Sequence, residues 1–287
     1  MSYSESAADN LVIGEPPSLK AAEFAQIRRL VQDHFGLDLK EGKQGLVVAR
    51  LGKALRRQGF TTFEQYCRHL SGDNTGVALA ELADALTTNF TSFLREPSHF
   101  EFLQRAICPV LRDRNGFEIW SAASSTGEEP YSILFTLLEA LGPAADVRVL
   151  ATDLSTRALA GVSEAVYQAE RIEALPADWR RKYFLRGNGK WQGWYRVKAE
   201  FRDRVRCRRF NLIADDLPSS RFPVIFCRNV MIYFNKATQG QVVRRLASVL
   251  EPGGFLMIGH SESLAGLEHG LEYVQPAVYR SGRGRSA

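Results

Sequence analysis

The stretch that most constrains the fold of this chain is residues 117–132. Residues 117–120 follow an Asn-Gly turn signal and are typical of a short buried strand. A run of small residues then allows a tight turn, in which Gly127 can adopt a backbone conformation closed to other residues. Pro130 suits the first turn of a helix with an apolar face. This order predicts the opening unit of a nucleotide-binding α/β fold, with an ordinary strand-to-helix turn as the alternative.

Further strands are predicted after this unit. Residues 147–153 form a buried strand that ends at Asp153, where a carboxylate can accept hydrogen bonds from a ribose or cap the following helix. Residues 222–227 and 255–258 continue the sheet, and residues 271–280 supply a last antiparallel edge strand. Between them, residues 191–197 and 205–210 predict a small β excursion at about residues 180–210. The dinucleotide glycine fingerprint is absent, so a dinucleotide ligand is not expected.

The chain before residue 88 has a different pattern. Apolar residues recur at helical spacing in four segments, the first ending at Gly36 and the last covering residues 77–86. Thr61 and Glu64 have the spacing of a capping box at the start of the third segment. We therefore predict a small all-α domain over residues 18–87, preceded by a polar, disordered segment over residues 1–17.

Composition limits the compartment and the chemistry. No apolar run approaches the roughly 20 residues that span a bilayer, and the first residues lack a signal-peptide pattern. The four cysteines are far apart, which predicts neither a zinc site nor a disulfide framework, and Cys227 lies in an apolar run typical of a core. A cytoplasmic protein without membrane insertion or a metal site is expected.

The net charge of +5 is unevenly distributed. Basic residues are concentrated in residues 20–57 and again in residues 202–209. Each run can bind an acidic partner or form a solvated face. In the first run, Arg50, Lys53, Arg56 and Arg57 recur at three- and four-residue spacing and can share one helix face.

Several motifs together carry a family resemblance. They are residues 87–96, 121–132, 151–153 and 226–234, followed by residues 259–262. Each is weak alone, but the set in this order resembles the receptor methyltransferases of bacterial chemotaxis over nearly the whole chain. The resemblance implies a class I, Rossmann-like methyltransferase domain over residues 88–287 with an inserted β subdomain, and a receptor-recognition role for the helical domain. It also implies S-adenosylmethionine as cofactor and chemoreceptor glutamates as methyl acceptors.

The resemblance also implies the site residues. The cofactor-binding positions of the family fall on Asn89, Thr91, Arg95, Glu128, Asp153, Asn211, Leu212, Arg228 and Asn229. Asp153 would hold the ribose, while Arg95 would lie near the transferred methyl group and orient the acceptor. Tyr233 would steer the acceptor or line the methyl path, or else belong to the core. Leu94 replaces a phenylalanine common in the family, which should alter packing more than chemistry.

Other interpretations remain for these positions. Asn89 and Thr91 can be turn or cap residues, Arg95 a surface ion-pair partner, and His260 a structural residue at a strand end. The expected reaction needs no general base, because a glutamate with a reference pKa of about 4.3 is already ionised at neutral pH.

Two other classes of protein compete with this interpretation. A nucleic-acid methyltransferase would fit the basic charge, but residues 228–231 do not resemble the Asp/Asn-Pro-Pro-aromatic segment of enzymes that methylate exocyclic amines. A cofactor-binding scaffold without turnover is the second alternative. We expect a monomer that binds the cytoplasmic helical region of methyl-accepting chemoreceptors and no nucleic acid.

Overall fold

A computed structural model of the chain describes residues 17–87 and 89–282. Nearly all of the segment predicted to be disordered, residues 1–16, lies outside the described residues. The described chain consists of a group of four helices followed by an α/β unit.

The four helices are α1 (Ala21–Phe35), α2 (Gln44–Arg57), α3 (Phe63–Gly72) and α4 (Val77–Leu86). Helix α1 ends at Gly36, whose φ of 71° is the left-handed conformation that glycine adopts without strain. A capping box opens α3, but it is formed by Thr62 and Gln65, one residue later than predicted, because the Thr62 side chain accepts the hydrogen bond from the Gln65 N–H.

A seven-stranded sheet forms the centre of the α/β unit. In chain order its strands are β1 (Phe117–Ala122), β2 (Val147–Asp153), β6 (Val205–Arg209), β7 (Phe222–Cys227), β8 (Leu250–Ile258), β9 (Leu271–Gln275) and β10 (Val278–Ser281). Their spatial order is β6-β2-β1-β7-β8-β10-β9. The first five strands are parallel, whereas β9 and β10 form an antiparallel hairpin at one edge. The single edge strand predicted over residues 271–280 is therefore two strands.

Alternate residues of the central strands pack into two different cores. Trp120 and Leu150 contact a core that includes the buried faces of α1 to α4 and of α11 (Lys236–Ser248). Ile119 and Val149 contact the core on the other face. That second core also contains residues of α5 (Ser98–Phe102), α6 (Cys108–Leu111), α7 (Glu128–Leu141) and α8 (Thr156–Glu164). A π-helical turn, Leu103–Ile107, joins α5 to α6. The chain thus forms three layers with the sheet in the middle.

A second, three-stranded antiparallel sheet overlaps the insertion predicted at about residues 180–210 but begins before it. It contains β3 (Val166–Gln168), β4 (Phe184–Arg186) and β5 (Trp194–Val197), in the order β3-β5-β4. Helices α9 (Ala177–Tyr183) and α10 (Ala199–Arg202) belong to the same region. The assignment of residues 205–210 to this subdomain is wrong, since β6 pairs in parallel with β2. Most side chains of β6 are exposed at the sheet edge, so its arginines hid the apolar pattern of a parallel strand.

Candidate active site

A cleft opens at the carboxyl ends of β1 and β7, the neighbouring strands from which the chain leaves in opposite directions along the sheet. Such a switch point is where open parallel sheets bind ligands. The empty volume of the cleft is about 900 Å³, which includes the part open to solvent. Predicted site residues that line it are Asn89, Thr91, Arg95, Asp153, Asn211, Leu212, Arg228, Asn229 and Tyr233.

Asp153 lies at the end of β2 and is buried, with 8% of its surface exposed. Its carboxylate accepts hydrogen bonds from the Ser125 N–H at 2.8 Å and the Ser155 N–H at 2.9 Å. Burial raises the pKa of Asp153 despite these two donors. Ser155, not Asp153, caps α8, because its hydroxyl accepts the hydrogen bond from the Ala158 N–H. Asp153 therefore fixes the β1–α7 loop and borders the cleft at once.

The segment 89–96 forms one wall of the cleft. The Arg95 guanidinium donates to the Phe90 carbonyl at 3.0 Å and lies 5.7 Å from the centre of the Phe90 ring. Phe90 itself is 75% exposed at the rim. On the opposite side of the segment, the Leu94 N–H donates to Ser132 and the Leu94 side chain packs on the second core. Arg95 is thus half-buried at the cleft and not part of a surface ion pair with the described residues.

Arg228 joins this wall to the sheet. Its side chain is 1% exposed and donates to Glu96 at 2.9 Å, to Glu129 at 3.0 Å, and to the Arg95 carbonyl. Burial alone would raise the pKa of Glu96, but the hydrogen bond and charge of Arg228, together with hydrogen bonds from Asn229 and the His260 N–H, outweigh burial and lower the pKa. Glu129 is more deeply buried, so burial raises the pKa of its carboxyl despite the same guanidinium. Arg228 therefore lines the cleft and also connects the segment 89–96 to Glu129 of α7.

Glu128 is the one predicted site residue that does not line the cleft. Its buried carboxylate contacts Arg171 and accepts a hydrogen bond from Thr126 at 2.7 Å. The cleft is lined instead by Glu129. Consecutive helix residues point in directions about 100° apart, so only one of two adjacent glutamates can face a given side. The prediction named Glu128, whereas the rotation of α7 places Glu129 at the cleft.

The helical domain supplies part of the cleft through Phe35 and Leu37. Asn211 connects the two units, since its side-chain amide donates to the His34 carbonyl at 2.7 Å and accepts from the Ile213 N–H at 3.1 Å. No site residue was predicted in the helical domain, so this contribution became visible only from the structure.

Backbone strain is concentrated at the cleft. Five non-glycine residues of the site loops have positive φ: Leu94, Glu96, Ala123, Ser125 and Asn229. Each such residue costs on the order of 1–3 kcal/mol and persists only where surrounding contacts determine it. Gly127 follows them with φ of 106°, and a Cβ there would lie 2.6 Å from the Tyr167 hydroxyl. The loops are therefore held in one conformation by their neighbours.

Tyr233 ends a short 3-10 turn, Met231–Tyr233, after β7. It lines the cleft and is half-buried, and its hydroxyl makes no hydrogen bond with the described residues. His260 contacts Ser98 at 3.0 Å and lies beside the buried ring of His99. Glu96, His99 and His260 bring possible metal-ligand atoms within 4.8 Å of one another. The Arg228 guanidinium bonded to the same Glu96 carboxylate disfavours a cation there by charge repulsion.

The cleft suits a nucleoside with a charged tail. It combines an acidic side chain at the end of β2, apolar walls and the N-terminal end of α7. This arrangement at the switch point of an open parallel sheet is that of a Rossmann-like nucleotide-binding fold. No helix among the described residues is long and apolar enough to cross a membrane.

Comparison with known proteins gives the family. Residues 89–279 match the model of the CheR methyltransferase SAM-binding domain, and residues 22–87 match that of the CheR methyltransferase all-alpha domain. The chain is 40% identical to chemotaxis protein methyltransferase 2 of Pseudomonas aeruginosa, covering 90% of this chain and 92% of that protein. It is 37% identical to the chemotaxis protein methyltransferase of Escherichia coli, covering 94% of each. A solved glycopeptide N-methyltransferase in complex with S-adenosylmethionine is similar at 20% identity and a TM-score of 0.34, over 59% of this chain and 55% of its own.

The chain belongs to the CheR methyltransferase family. It is a methyltransferase of chemotaxis with S-adenosylmethionine as cofactor, which confirms the predicted family, fold class and cofactor.

Proposed function

We propose that this protein transfers the methyl group of S-adenosylmethionine to glutamate side-chain carboxylates of methyl-accepting chemoreceptors, giving glutamate methyl esters. The observation that supports this most is that Arg95 and Tyr233, whose hydroxyl makes no hydrogen bond with the described residues, line the same cleft as Asp153. Both side chains carry donors that can orient an incoming carboxylate.

The proposed reaction requires neither a general base nor an activated nucleophile from the protein. When bound, S-adenosylmethionine supplies a methyl group on a positively charged sulfur, and the acceptor carboxylate is already the nucleophile. An oxygen–carbon bond forms as the sulfur–carbon bond breaks, and no proton moves. The site must therefore orient the acceptor and exclude water, which are effects worth roughly 7–11 kcal/mol when well executed.

The side chains take distinct roles in this proposal. Asp153 binds the ribose of the donor, and Asn89, Thr91, Asn211, Leu212 and Asn229 form the rest of the donor pocket. Arg95 pairs with the acceptor carboxylate, and Tyr233 donates a hydrogen bond to it. Arg228 and Glu129 also line the cleft, and Arg228 holds the segment that carries Arg95 in place through the Arg95 carbonyl and its ion pair with Glu129.

The acceptor must also be recognised outside the cleft. Helix α2 presents Lys53, Arg56 and Arg57 as exposed side chains without a salt bridge to the described residues. Arg50 differs, since its guanidinium is held by the Leu86 carbonyl. We propose that the exposed cations contact an acidic face of the receptor helices in the cytoplasm, with the enzyme acting as a monomer.

The test uses S-adenosylmethionine labelled in the transferred methyl group and the cytoplasmic fragment of a receptor. Transfer followed by release of the label as methanol in mild base identifies an ester, as expected. Label that survives base indicates nitrogen methylation and contradicts the proposal. Parallel reactions with RNA and DNA test the nucleic-acid alternative.

The R95A variant tests the role of Arg95 in this reaction. R148A is its matched control, since Arg148 is exposed on β2 outside the cleft.

A further inference from the structure

The turn after β7 presents Asn229 and Tyr233 to the cleft, and it has an unusual backbone. Asn229 has φ of 57°, a left-handed conformation that asparagine tolerates better than most residues but that still needs support. No element of regular structure holds Asn229, because it lies between β7 and the Met231–Tyr233 turn. The support must come from side chains packed against the turn.

The Glu262 carboxylate supplies that support. One oxygen accepts the Asn229 N–H at 2.9 Å and the Gly259 N–H at 2.6 Å, and the other accepts the Ile232 N–H at 3.3 Å. A single side chain therefore connects the carboxyl ends of β7 and β8 and spans the turn from Asn229 to Ile232. All three contacts require an acceptor, so a carboxylate fits them where an amide would turn its NH₂ group toward an N–H.

The same turn is closed from two other directions. A Cβ on Gly259 would lie 2.5 Å from the side-chain amide nitrogen of Asn229 and 2.9 Å from the Glu262 carboxylate. This close approach favours glycine at residue 259. The Asn229 side-chain NH₂ donates to Glu96 at 3.2 Å. Its amide oxygen accepts no hydrogen bond from the described residues, although Asn229 lines the cleft. That oxygen is available to a donor group on a bound ligand.

We propose that Glu262 is a positioning residue for cofactor binding: its carboxylate locks the turn of residues 228–233 in the conformation that directs the Asn229 amide oxygen into the cleft. Glu262 touches no ligand in this arrangement and acts through Asn229. Glu262 lies outside the cleft, so its contribution to S-adenosylmethionine binding is indirect. The role does not depend on which acceptor is methylated.

The experiment measures S-adenosylmethionine affinity by calorimetry for E262Q, E262A, N229A and the double variant E262Q/N229A. Loss of one hydrogen bond to a charged group is expected to weaken cofactor binding by roughly tenfold in E262Q. E262A should lose more, because all three acceptor contacts disappear. E272Q is the matched control, since Glu272 lies on the β9–β10 hairpin and pairs with Arg280, and it should bind like the wild type.

The double variant separates positioning from general stability. If Glu262 acts through Asn229, E262Q should cost little further affinity in the N229A background, so the two losses are not additive. Fully additive losses, or wild-type affinity in a folded E262Q protein, would overturn the proposal. Thermal unfolding of each variant confirms that folded protein is compared. Because no receptor is present, this result is independent of whether the acceptor is a glutamate.

Discussion

At the scale of single residues, Asp153 gives the most direct test of the donor site. The D153A substitution should weaken S-adenosylmethionine binding by about 1.5–3 kcal/mol, the usual effect of a lost hydrogen bond to a charged group. Calorimetry on the folded variant measures this. Because Asp153 also holds the Ser125 and Ser155 N–H groups, D153N serves as the control that keeps one acceptor oxygen, and it should lose less. Equal affinity in D153A and wild type would remove Asp153 from the site.

Arg95 and Tyr233 test the acceptor side. R95A should slow single-turnover methyl transfer by tenfold to hundredfold, roughly 1.5–3 kcal/mol, because a charged two-pronged donor is lost. R95K keeps the charge and should recover only part of the rate. Y233F removes one hydroxyl and should cost less than R95A. Rapid quench with saturating donor and receptor fragment measures these rates, and near-normal rates in both variants would contradict the assigned roles.

His99 makes stability depend on pH. Its ring is fully buried beside Glu96, Arg228 and His260, and neither nitrogen makes a hydrogen bond of normal geometry with the described residues. Burial lowers the pKa of His99 to about 3 from an ordinary value of 6.5. The unfolded state therefore binds the proton first, so the stability contributed by neutral His99 is complete above pH 6.5 and declines as the pH falls toward 3.

The resulting prediction compares urea unfolding at pH 7 and pH 5. His99 should account for a loss of about 2 kcal/mol over this interval. The difference between wild type and H99F isolates the His99 contribution from the carboxylates of the site. The raised pKa values of Glu129 and Asp153 act in the opposite direction, whereas the lowered pKa of Glu96 acts in the same direction. H69F, which changes an exposed histidine of α3, should keep the wild-type dependence. An unchanged pH dependence in H99F would contradict the prediction.

At the scale of elements, α2 carries a prediction about recognition. The double charge reversal K53E/R56E should raise the apparent KM for the receptor and flatten its dependence on salt, while donor affinity stays unchanged. Each exposed pair contributes little, but several together affect encounter rate and register. Kinetics across a salt series measure this, with the single charge reversal R148E as a control outside α2. A receptor KM equal to that of the wild type would contradict a role in recognition and would indicate that these residues form only a solvated helix face.

The elements also show which parts of the fold could be predicted from the sequence. The strand, loop and helix around Gly127 were predictable because turn chemistry and helical periodicity agree in that stretch. Strand β6 was misplaced because its pairing with β2 depends on contacts distant in sequence, and its exposed edge carries arginines. Glu129 was missed for a similar reason, since the rotation of α7 is set by packing on the sheet. Local signals fix elements, whereas partners and facing directions come from the tertiary structure.

At the scale of the whole molecule, one hydrophobic core joins the helical domain to the sheet. Leu51 of α2 and Trp120 of β1 belong to the same buried cluster. We expect both units to unfold in one transition, because removal of either would expose the core of the other. Far-UV circular dichroism and tryptophan fluorescence should therefore give the same urea midpoint. Separate midpoints for the two signals would contradict a shared transition.

Ligand binding should raise the stability of the folded state. S-adenosylmethionine at 100 times its Kd should add about 2.7 kcal/mol to the free energy of unfolding.

The packing around Gly36 has a consequence for how such enzymes diverge. A Cβ at Gly36 would lie 2.8 Å from Thr238 and 3.2 Å from Ile213, so the inner side of the helical domain is fitted to one particular α/β unit. Lys53 and Arg57 on α2 are exposed and carry no such constraint. Exchanging the entire domain between two relatives would transplant an inner face that fits the wrong sheet. We therefore expect receptor preference to change in evolution through substitutions on the outer face of α2. An engineered exchange of specificity should likewise replace single residues on that face and keep the rest of the domain.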